Sequence, residues 1–308
     1  MSTETLVRVD PPEFATRRDA IAALDAAARA IDGHDALGDA IWRDLETPAA
    51  DSVGFLIDER AYVHVARAGQ IAGAGSHWVA GAIRMPGARD RVTTSMLLDG
   101  ALAHVRAHGG GHLECWVFGA TAADDAAFGA AGLIATRELF EMRVALPLTE
   151  APAWPPGVTV RAFGPRRDEA EWLRVNNLAF AGHPDQGGWT AATLEHRMAE
   201  PWFDPALFLL AVDGTGLAGF DWLKLHDARE PDPELGEIYV IGVDPRTQGT
   251  GLGRALAIAG LGAVHERGAG IGMLFVAADN PAALSLYRSL GFEVHRTDRA
   301  YTCEVKVA

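Results

Sequence analysis

The chain carries an internal repeat, and this repeat limits the folds that it can adopt. One ungapped shift of 159 residues superposes prolines, glycines and valines of the two halves, namely Pro86 on Pro245, Gly109 on Gly268 and Val117 on Val276. Landmarks that recur at one fixed offset indicate two copies of one structural unit. The 308 residues give each copy the length of an ordinary domain, ~150 residues. The sequence therefore predicts a tandem pair of similar domains.

A cluster of prolines divides the two copies. Four prolines between positions 147 and 156 separate two strand-like segments, which is the composition of a linker. We predict an N-terminal domain over residues 1–148, a linker over 149–156 and a C-terminal domain over 157–308. Helix-like and strand-like segments alternate in both, so each is predicted to be an α/β domain with a central mixed sheet flanked by helices. Residues 54–79 predict two strands joined by a turn at Gly69.

The charge and composition of the chain exclude several classes of partner. A formal net charge of −14 opposes a broad surface for nucleic acid or anionic membrane, because phosphates would be repelled. The sequence has neither an apolar run of about 18 residues nor the features of a signal peptide. Cys115 and Cys303 are too few for a disulfide framework and lack the spacing of metal ligands. We expect a cytoplasmic monomer without a metal ion.

The most informative segment runs from residue 236 to residue 267. It consists of a buried-looking strand, a Val-Asp-Pro stop, a glycine-rich turn and an amphipathic helix. Glycines at 249, 251 and 253 would let the backbone approach an anion, and the first N–H groups of the helix would attract negative charge. The segment predicts a diphosphate site. A turn of this kind also occurs as an ordinary connection between a strand and a helix. Other motifs are therefore needed to show whether it binds a diphosphate.

Three motifs together resemble the GNAT family of acetyltransferases. Gln248 to Gly253 matches the Q/R-x-x-G-x-G/A signature, Ile241 to Pro245 matches the splayed strand, and Asn280 to Phe292 matches the N-x-x-A-x-x-x-Y…LGF segment. The resemblance implies two tandem GNAT domains and acetyl-CoA as the acetyl donor. It also implies a set of cofactor-binding residues: Ile241, Gly242, Val243, Gln248, Gly249, Thr250, Gly251, Leu252, Gly253, Arg254, Asn280, Ala282, Ala283 and Ser285.

Transfer of an acetyl group to an amine requires an unprotonated nucleophile, donors for the developing oxyanion and an acid for the leaving thiolate. The GNAT resemblance implies that the backbone N–H of Val243 holds the thioester oxygen. It makes Glu237 the candidate base and Tyr287 the candidate acid. From the residues alone, Glu237 could instead be a solvated carboxylate at a strand start, and Tyr287 a core aromatic.

The N-terminal copy lacks the motifs of its partner. Under the same shift, Gln248, Gly251 and Gly253 correspond to Arg89, Val92 and Thr94, while Glu237, Asn280 and Tyr287 correspond to Trp78, Thr121 and Phe128. Side chains in place of the glycines would hinder the approach of a diphosphate to the backbone. We therefore predict that the N-terminal copy is structural, forms part of the wall of the substrate site, and leaves a single acetyl-CoA site in the chain.

Five further segments, which general GNAT enzymes do not share, resemble the mycothiol synthase family of actinobacteria: residues 176–180, 183–190, 200–205, 219–224 and 236–240. The resemblance implies acetylation of the cysteinyl amine of cysteinyl-glucosaminyl-inositol. It places Asp39, Asp185, Lys224, Glu237 and Phe275 at the substrate. Asp39 and Asp185 stand where the family has glutamate, and Phe275 stands where it has tyrosine.

Two alternative functions stay open at this stage. One is a GNAT enzyme for another small amine, such as an aminoglycoside, a polyamine or a peptide N-terminus, although Lys224 in the site would disfavour a cation-rich acceptor. The other is a protein without activity, either an acetyl-CoA-binding sensor or a pseudoenzyme. His183 and His226 are more easily explained as satisfied polar side chains than as bases.

Overall fold

The computed structural model describes residues 5–71, 75–183 and 186–307. The chain forms two compact units. Unit 1 contains Met1–Phe140, Ala277–Asp279 and Arg296–Ala308, and unit 2 contains Glu141–Val276 and Asn280–His295. The division differs from the predicted domain ranges in two respects. Residues 141–148 and the predicted linker, 149–156, belong to unit 2, whereas residues 277–279 and 296–308 belong to unit 1.

Unit 1 is built from strands and helices in the order β1 (Leu6–Val9), α1 (Pro11–Asp32), α2 (Asp39–Glu46), β2 (Val53–Ile57), β3 (Ala61–Ile71), β4 (Gly75–Arg84), α3 (Arg91–Ala107), β5 (Gly111–Val117), α4 (Ala122–Ala130) and the first part of β6 (Ile134–Ala145). Most of the last strand, β12 (Glu293–Val305), completes it. The strand order is β1-β2-β3-β4-β5-β12. Neighbours are antiparallel except β4 and β5, which α3 connects in parallel.

Strand β3 continues through Gly69, where the sequence predicted a turn. Residues 54–79 contain parts of three strands, and the turn predicted at Gly69 is wrong because Gly69 lies inside β3. The pairing of β3 with β4 shifts register between Arg67 and Gly69, and Gly69 has a φ of 146°. A glycine with such a backbone angle accommodates a bulge within a strand as readily as a turn.

The final strand is held in unit 1 by backbone pairing and by polar contacts. β12 pairs antiparallel with β5 from Arg299 opposite Val117 to Val305 opposite Gly111. The hydroxyl of Tyr301 donates to Oδ1 of Asp125 at 2.7 Å, on helix α4. The sheet of unit 1 thus obtains a long strand beside β5 from the far end of the sequence, which no local pattern in the first half could indicate.

Unit 2 continues with β7 (Thr159–Ala162), α5 (Glu169–Ala179), α6 (Ala191–Met198), β8 (Phe208–Asp213), β9 (Gly216–His226), β10 (Leu235–Val243), α7 (Leu252–His265), β11 (Ile271–Ala277) and α8 (Pro281–Ser289). The strand order is β6-β11-β10-β9-β8-β7. β10 is antiparallel to β9 and parallel to β11, and α7 connects the parallel pair.

The two faces of the sheet in unit 2 have different cores. On one face, α5 and α6 pack against an aromatic cluster that includes Trp172, Trp189, Phe208 and Trp222. On the other face, Leu252 and Leu256 of α7 pack against small strand residues. Trp189 and Trp222 are therefore core residues. No helix in the described ranges is both long and apolar enough to cross a membrane.

Candidate active site

Two parallel strands of unit 2 separate partway along their length. β10 and β11 are paired where Leu235–Ile238 lies beside Ile271–Leu274, and both strands continue for several residues beyond this pairing. At the same point, the pairing of β10 with β9 has an irregularity between Ile238 and Val240. A bulge bends a strand and increases its twist, so it turns the end of β10 away. We call the resulting gap between the ends of β10 and β11 the strand wedge.

The backbone N–H of Val243 points toward the strand wedge. On the opposite edge of β10, the N–H of Asp244 donates to the carbonyl of Ala218 at 2.9 Å, which holds the chain to β9. Successive N–H groups of an extended chain point to opposite edges. The N–H of Val243, which the GNAT resemblance assigns to the thioester oxygen, is therefore on the edge of β10 that faces the wedge.

Helix α7 begins beside the wedge with an uncapped N-terminus. Its N-cap residue is Gly251, which has a left-handed φ of 86° and makes no side-chain cap hydrogen bond. The first N–H bonded back along the helix is that of Ala255, to the carbonyl of Gly251. Gly249 is also left-handed, with a φ of 77°. The N–H groups of residues 252–254 and the positive end of the helix dipole are thus available to an anion.

Polar side chains before α7 fix the shape of the turn. The carboxylate of Asp244 accepts the Arg246 N–H at 3.0 Å and the Arg174 guanidinium at 3.2 Å. Burial works to raise the pKa of Asp244, but these hydrogen bonds and charges outweigh it and lower the pKa. The hydroxyl of Thr247 donates to the Ala218 carbonyl at 2.9 Å, and that of Thr250 donates to the Thr247 carbonyl at 2.7 Å. These side chains, and the backbone N–H groups of Thr247, Gln248 and Thr250, bond within the protein and so fix the turn that leads into α7.

The equivalent helix of unit 1 is capped by its own sequence. The N-cap of α3 is Asp90, whose Oδ1 accepts the N–H groups of Val92 and Thr93 at 2.8 and 3.0 Å. The hydrogen bonds from Thr93 and Val92 lower the pKa of Asp90, so the carboxylate stays ionised. A carboxylate already occupies the place where a phosphate would bind at such a terminus.

A carboxylate, an imidazole and an ammonium group lie on one face of β9 and β10. Glu237 is opposite Lys224 in the strand register, and His226 is two residues further along β9. Glu237 is 7% exposed, and its Oε2 lies 2.7 Å from Nε2 of His226. The ammonium of Lys224 lies 5.1 Å from the ring centre of Trp202. Because Glu237 lies beside the last paired residues of β10, this polar cluster adjoins the start of the strand wedge.

Helix α8 carries the predicted acid and a second predicted cofactor contact. Asn280 is the N-cap residue, and its Oδ1 accepts the N–H of Ala283 at 3.1 Å. Tyr287 is 7% exposed and its ring lies 5.6 Å from that of Phe292. Burial, with a smaller effect of the Asp221 charge, raises the pKa of Tyr287. The phenol therefore keeps its proton at neutral pH and can act as a donor.

The other predicted cofactor residues lie around these two helix starts. The side chains of Gln248, Ala282 and Ser285 are exposed. Leu252 is different, because its side chain is buried in the core and only its backbone can face a ligand. The guanidinium of Arg254 donates to Glu150 at 3.0 Å and to Ser289 at 2.6 Å, so the protein itself holds this cation.

The structure brings together only part of the predicted substrate set. Lys224, Glu237 and Phe275 belong to unit 2, where Phe275 lies on β11 and is 43% exposed. Asp39 belongs to unit 1, where it is exposed in the first turn of α2. Asp185 lies outside the described residues. The part played by Asp39 and Asp185 in substrate binding stays a prediction.

Two neighbouring asparagines of α5 bind the backbone of Gln186 and Trp189. The side-chain amide of Asn176 donates to the carbonyl of Gln186 at 2.9 Å. Asn177 pairs with both backbone groups of Trp189, each at 2.9 Å. An asparagine side chain can both donate and accept, so it substitutes for a strand neighbour here. These bonds join the segment that starts at Asn176 to residues 186–189.

Three features of the site and its surroundings could not be read from the sequence. His226 agrees with its interpretation as a satisfied polar histidine, but its partner, Glu237, could not be predicted. Asp90 immediately precedes a helix, and this common N-cap position was the available signal. Asp221 is fully buried on β9 with no hydrogen-bond partner for either oxygen among the described residues, and no local pattern indicated this. Within the same residues, no three metal-ligating side chains are grouped to hold an ion.

Comparison with known proteins identifies the class of protein to which the chain belongs. The model of the acetyltransferase (GNAT) family matches residues 172–292. A GCN5-related N-acetyltransferase from Sphaerobacter thermophilus superposes with a TM-score of 0.74 at 22% identity, over 98% of this chain and 96% of that one. A tandem GNAT protein from the clavulanic acid biosynthesis pathway superposes with a TM-score of 0.70 at 16% identity, over 99% and 100% of the chains. The predicted tandem GNAT fold is confirmed, and the family model together with the relatives described next shows that the chain is an acyltransferase.

Relatives with higher sequence identity show which family of acetyltransferases the chain belongs to. The mycothiol acetyltransferase of Mycobacterium marinum is 37% identical over 308 residues, covering 90% of this chain and 91% of the relative. That of Thermomonospora curvata is 42% identical over 287 residues, covering 91% and 92%. The chain belongs to the mycothiol acetyltransferase family. The predicted resemblance to mycothiol synthases is confirmed, and acetyl-CoA is the acetyl donor that GNAT acetyltransferases use.

Proposed function

We propose that the chain transfers the acetyl group of acetyl-CoA to the cysteinyl amine of cysteinyl-glucosaminyl-inositol and so forms mycothiol. The names of its relatives support acetyl transfer in mycothiol formation. The structural observation that carries the proposal is the uncapped N-terminus of α7 beside the strand wedge, within a unit that also holds Glu237 and Lys224. The acceptor is a small molecule, and the enzyme works as a monomer.

The residues present fit an acyl-CoA. In our proposal, the N–H groups of residues 252–254 bind the diphosphate, with Gln248, Asn280 and Ser285 near them. The contrast with α3 supports this assignment, because two helices in equivalent positions differ in whether a carboxylate of the protein fills the anion site. Acetyl-CoA bound here would supply an activated acyl carbon to the wedge. The N–H of Val243 would stabilise the negative charge that develops on the thioester oxygen.

Proton transfers are assigned to two side chains. Glu237 removes a proton from the substrate ammonium, which frees the nitrogen lone pair to attack the acyl carbon. Tyr287 donates its phenolic proton to the sulfur as the carbon–sulfur bond breaks. The support for these roles is chemical: Glu237 is a nearly buried carboxylate beside the wedge, and burial keeps Tyr287 protonated.

The polar cluster on β9 and β10 suits a sugar-linked amino acid. Lys224 can donate to hydroxyl or carbonyl oxygens, and Asp39 and Asp185 can accept from hydroxyl groups. Phe275 offers an exposed apolar face where the family has a hydroxyl group, so this enzyme should bind its acceptor with one hydrogen bond fewer. Unit 1 contributes no acetyl-CoA site in this proposal.

The test is an acetyl-transfer assay that follows release of free CoA. The acceptors are cysteinyl-glucosaminyl-inositol, glucosaminyl-inositol without cysteine, an aminoglycoside and spermidine. We expect turnover with the first alone, and mass spectrometry should find one acetyl group on the cysteinyl nitrogen. The variant Glu237→Gln should lose most of this activity, roughly 10²- to 10⁴-fold for a general base. Turnover with another amine and none with the cysteinyl compound would refute the proposed substrate.

A further inference from the structure

The imidazole of His226 makes a direct contact with the proposed base. Its Nε2 lies 2.7 Å from Oε2 of Glu237, a short distance typical of a hydrogen bond to a charged group. The side chain of Glu237 is 9% exposed and that of His226 is 32% exposed. The imidazole therefore lies between a nearly buried carboxylate and the solvent. The imidazole contacts Oε2, one of the two carboxylate oxygens of Glu237, and leaves the other oxygen, Oε1, for another partner.

The strand register explains why a histidine and not a lysine makes this contact. Lys224 is directly opposite Glu237, but its ammonium lies over the ring of Trp202. His226 comes from the next position on the same face of β9, opposite Leu235. An imidazole has two side-chain torsions, whereas a lysine has a flexible four-carbon stem. The carboxylate is thus held by the more rigid of the two available side chains.

We propose that His226 is a positioning residue for the reaction: its Nε2–H donates to Oε2 of Glu237 and fixes the carboxylate so that Oε1 faces the substrate ammonium. This inference rests on the proposed role of Glu237. In the step itself, one N–H bond of the ammonium breaks, an O–H bond forms at Oε1, and the electron pair remains on nitrogen. His226 exchanges no proton in this step. It acts only through the orientation of Glu237, so its loss should slow turnover without weakening the binding of either substrate.

Three substitutions of His226 separate this role from others. His226→Gln places an amide N–H close to the position of Nε2, His226→Asn places it near Nδ1 and too far from Glu237, and His226→Leu removes the donor. Misplacement of a reacting group by about 1 Å can cost about 10²-fold. We expect kcat to fall roughly 10- to 100-fold in the Leu and Asn variants and by less than about 3-fold in the Gln variant. KM for the cysteinyl acceptor and Kd for acetyl-CoA should change less than about 3-fold in all three.

Each other outcome overturns the proposal for a stated reason. Full activity of His226→Leu would mean that Glu237 needs no partner. Equal losses in the Gln and Leu variants would mean that the imidazole transfers the proton itself. A loss confined to the acceptor KM would make His226 a substrate-binding residue. Glu237→Gln is measured alongside: if it retains wild-type activity, the proposed base is wrong, whereas its loss together with an active His226→Leu refutes only the positioning role.

Discussion

The buried carboxyl of Asp221 should make the stability of unit 2 depend on pH in an unusual direction. Asp221 is 0% exposed on the central strand β9, opposite Ile241 in the register, and neither of its oxygens has a hydrogen-bond partner among the described residues. If residue 260 of α7 had a Cβ atom, that atom would lie 2.1 Å from Oδ2 of Asp221. Because residue 260 is a glycine, the Asp221 carboxyl has room there. Burial raises the pKa of Asp221 well above its ordinary value of 3.8.

The sign of the effect follows from proton binding. Above pH 3.8 the unfolded chain releases the Asp221 proton, whereas the folded chain retains it until the raised pKa is reached. The unfolded state therefore binds fewer protons, and the free energy of unfolding falls as pH rises across this interval. Each pH unit within it costs about 1.4 kcal/mol. The groups with lowered pKa values, such as Asp168, act in the opposite direction and at lower pH.

The perturbation is the substitution Asp221→Asn. The asparagine side chain has nearly the same shape as that of aspartate but cannot ionise. The assay is urea unfolding at pH 5 and pH 6, followed by intrinsic tryptophan fluorescence, to which the buried Trp172 and Trp222 of unit 2 contribute. The difference in unfolding free energy between variant and wild type should shift in favour of the variant from pH 5 to pH 6, by at most about 1.4 kcal/mol. All other titrating groups cancel in this difference. Asp227→Asn, an exposed site just beyond β9, is the control and should show no such shift. A constant difference for Asp221→Asn would refute the reasoning and require an ion-pairing partner for Asp221.

Three further predictions concern the proposed site. Tyr287→Phe should lower kcat about 10²-fold in the CoA-release assay and leave the Kd for acetyl-CoA within about 2-fold, and unchanged turnover would exclude it as the acid. Gly253→Leu should fold normally, since a Cβ there meets only Val243, at 3.8 Å, but should weaken acetyl-CoA binding more than about 10-fold in calorimetry, while the control Gly253→Ala should bind as wild type does. Calorimetry of the wild type should find one acetyl-CoA per chain, because Asp90 fills the anion site of α3, and two equal sites would contradict this.

The candidate anion site could be predicted from the sequence because it is built from contiguous residues. The order of strand, glycine-rich turn and helix at residues 236–267 specifies a helix start, and backbone N–H groups at that start need no distant partner. The 159-residue repeat and the missing glycines at Val92 and Thr94 likewise came from the sequence. These features predicted the tandem GNAT fold correctly.

Other features were decided only by the tertiary structure, because they depend on which distant segments become neighbours. The sequence could not show that residues 299–305 pair with β5, since strand partners separated by many residues leave no local pattern. The contact between His226 and Glu237 arises from the register of β9 on β10, and a slip of one residue would place either side chain on the other face. The burial of Asp221 depends on the packing of α7 at Gly260. Local chemistry therefore determined the helix start at which we propose that an anion binds, while strand pairing and packing determined which side chains lie beside Glu237.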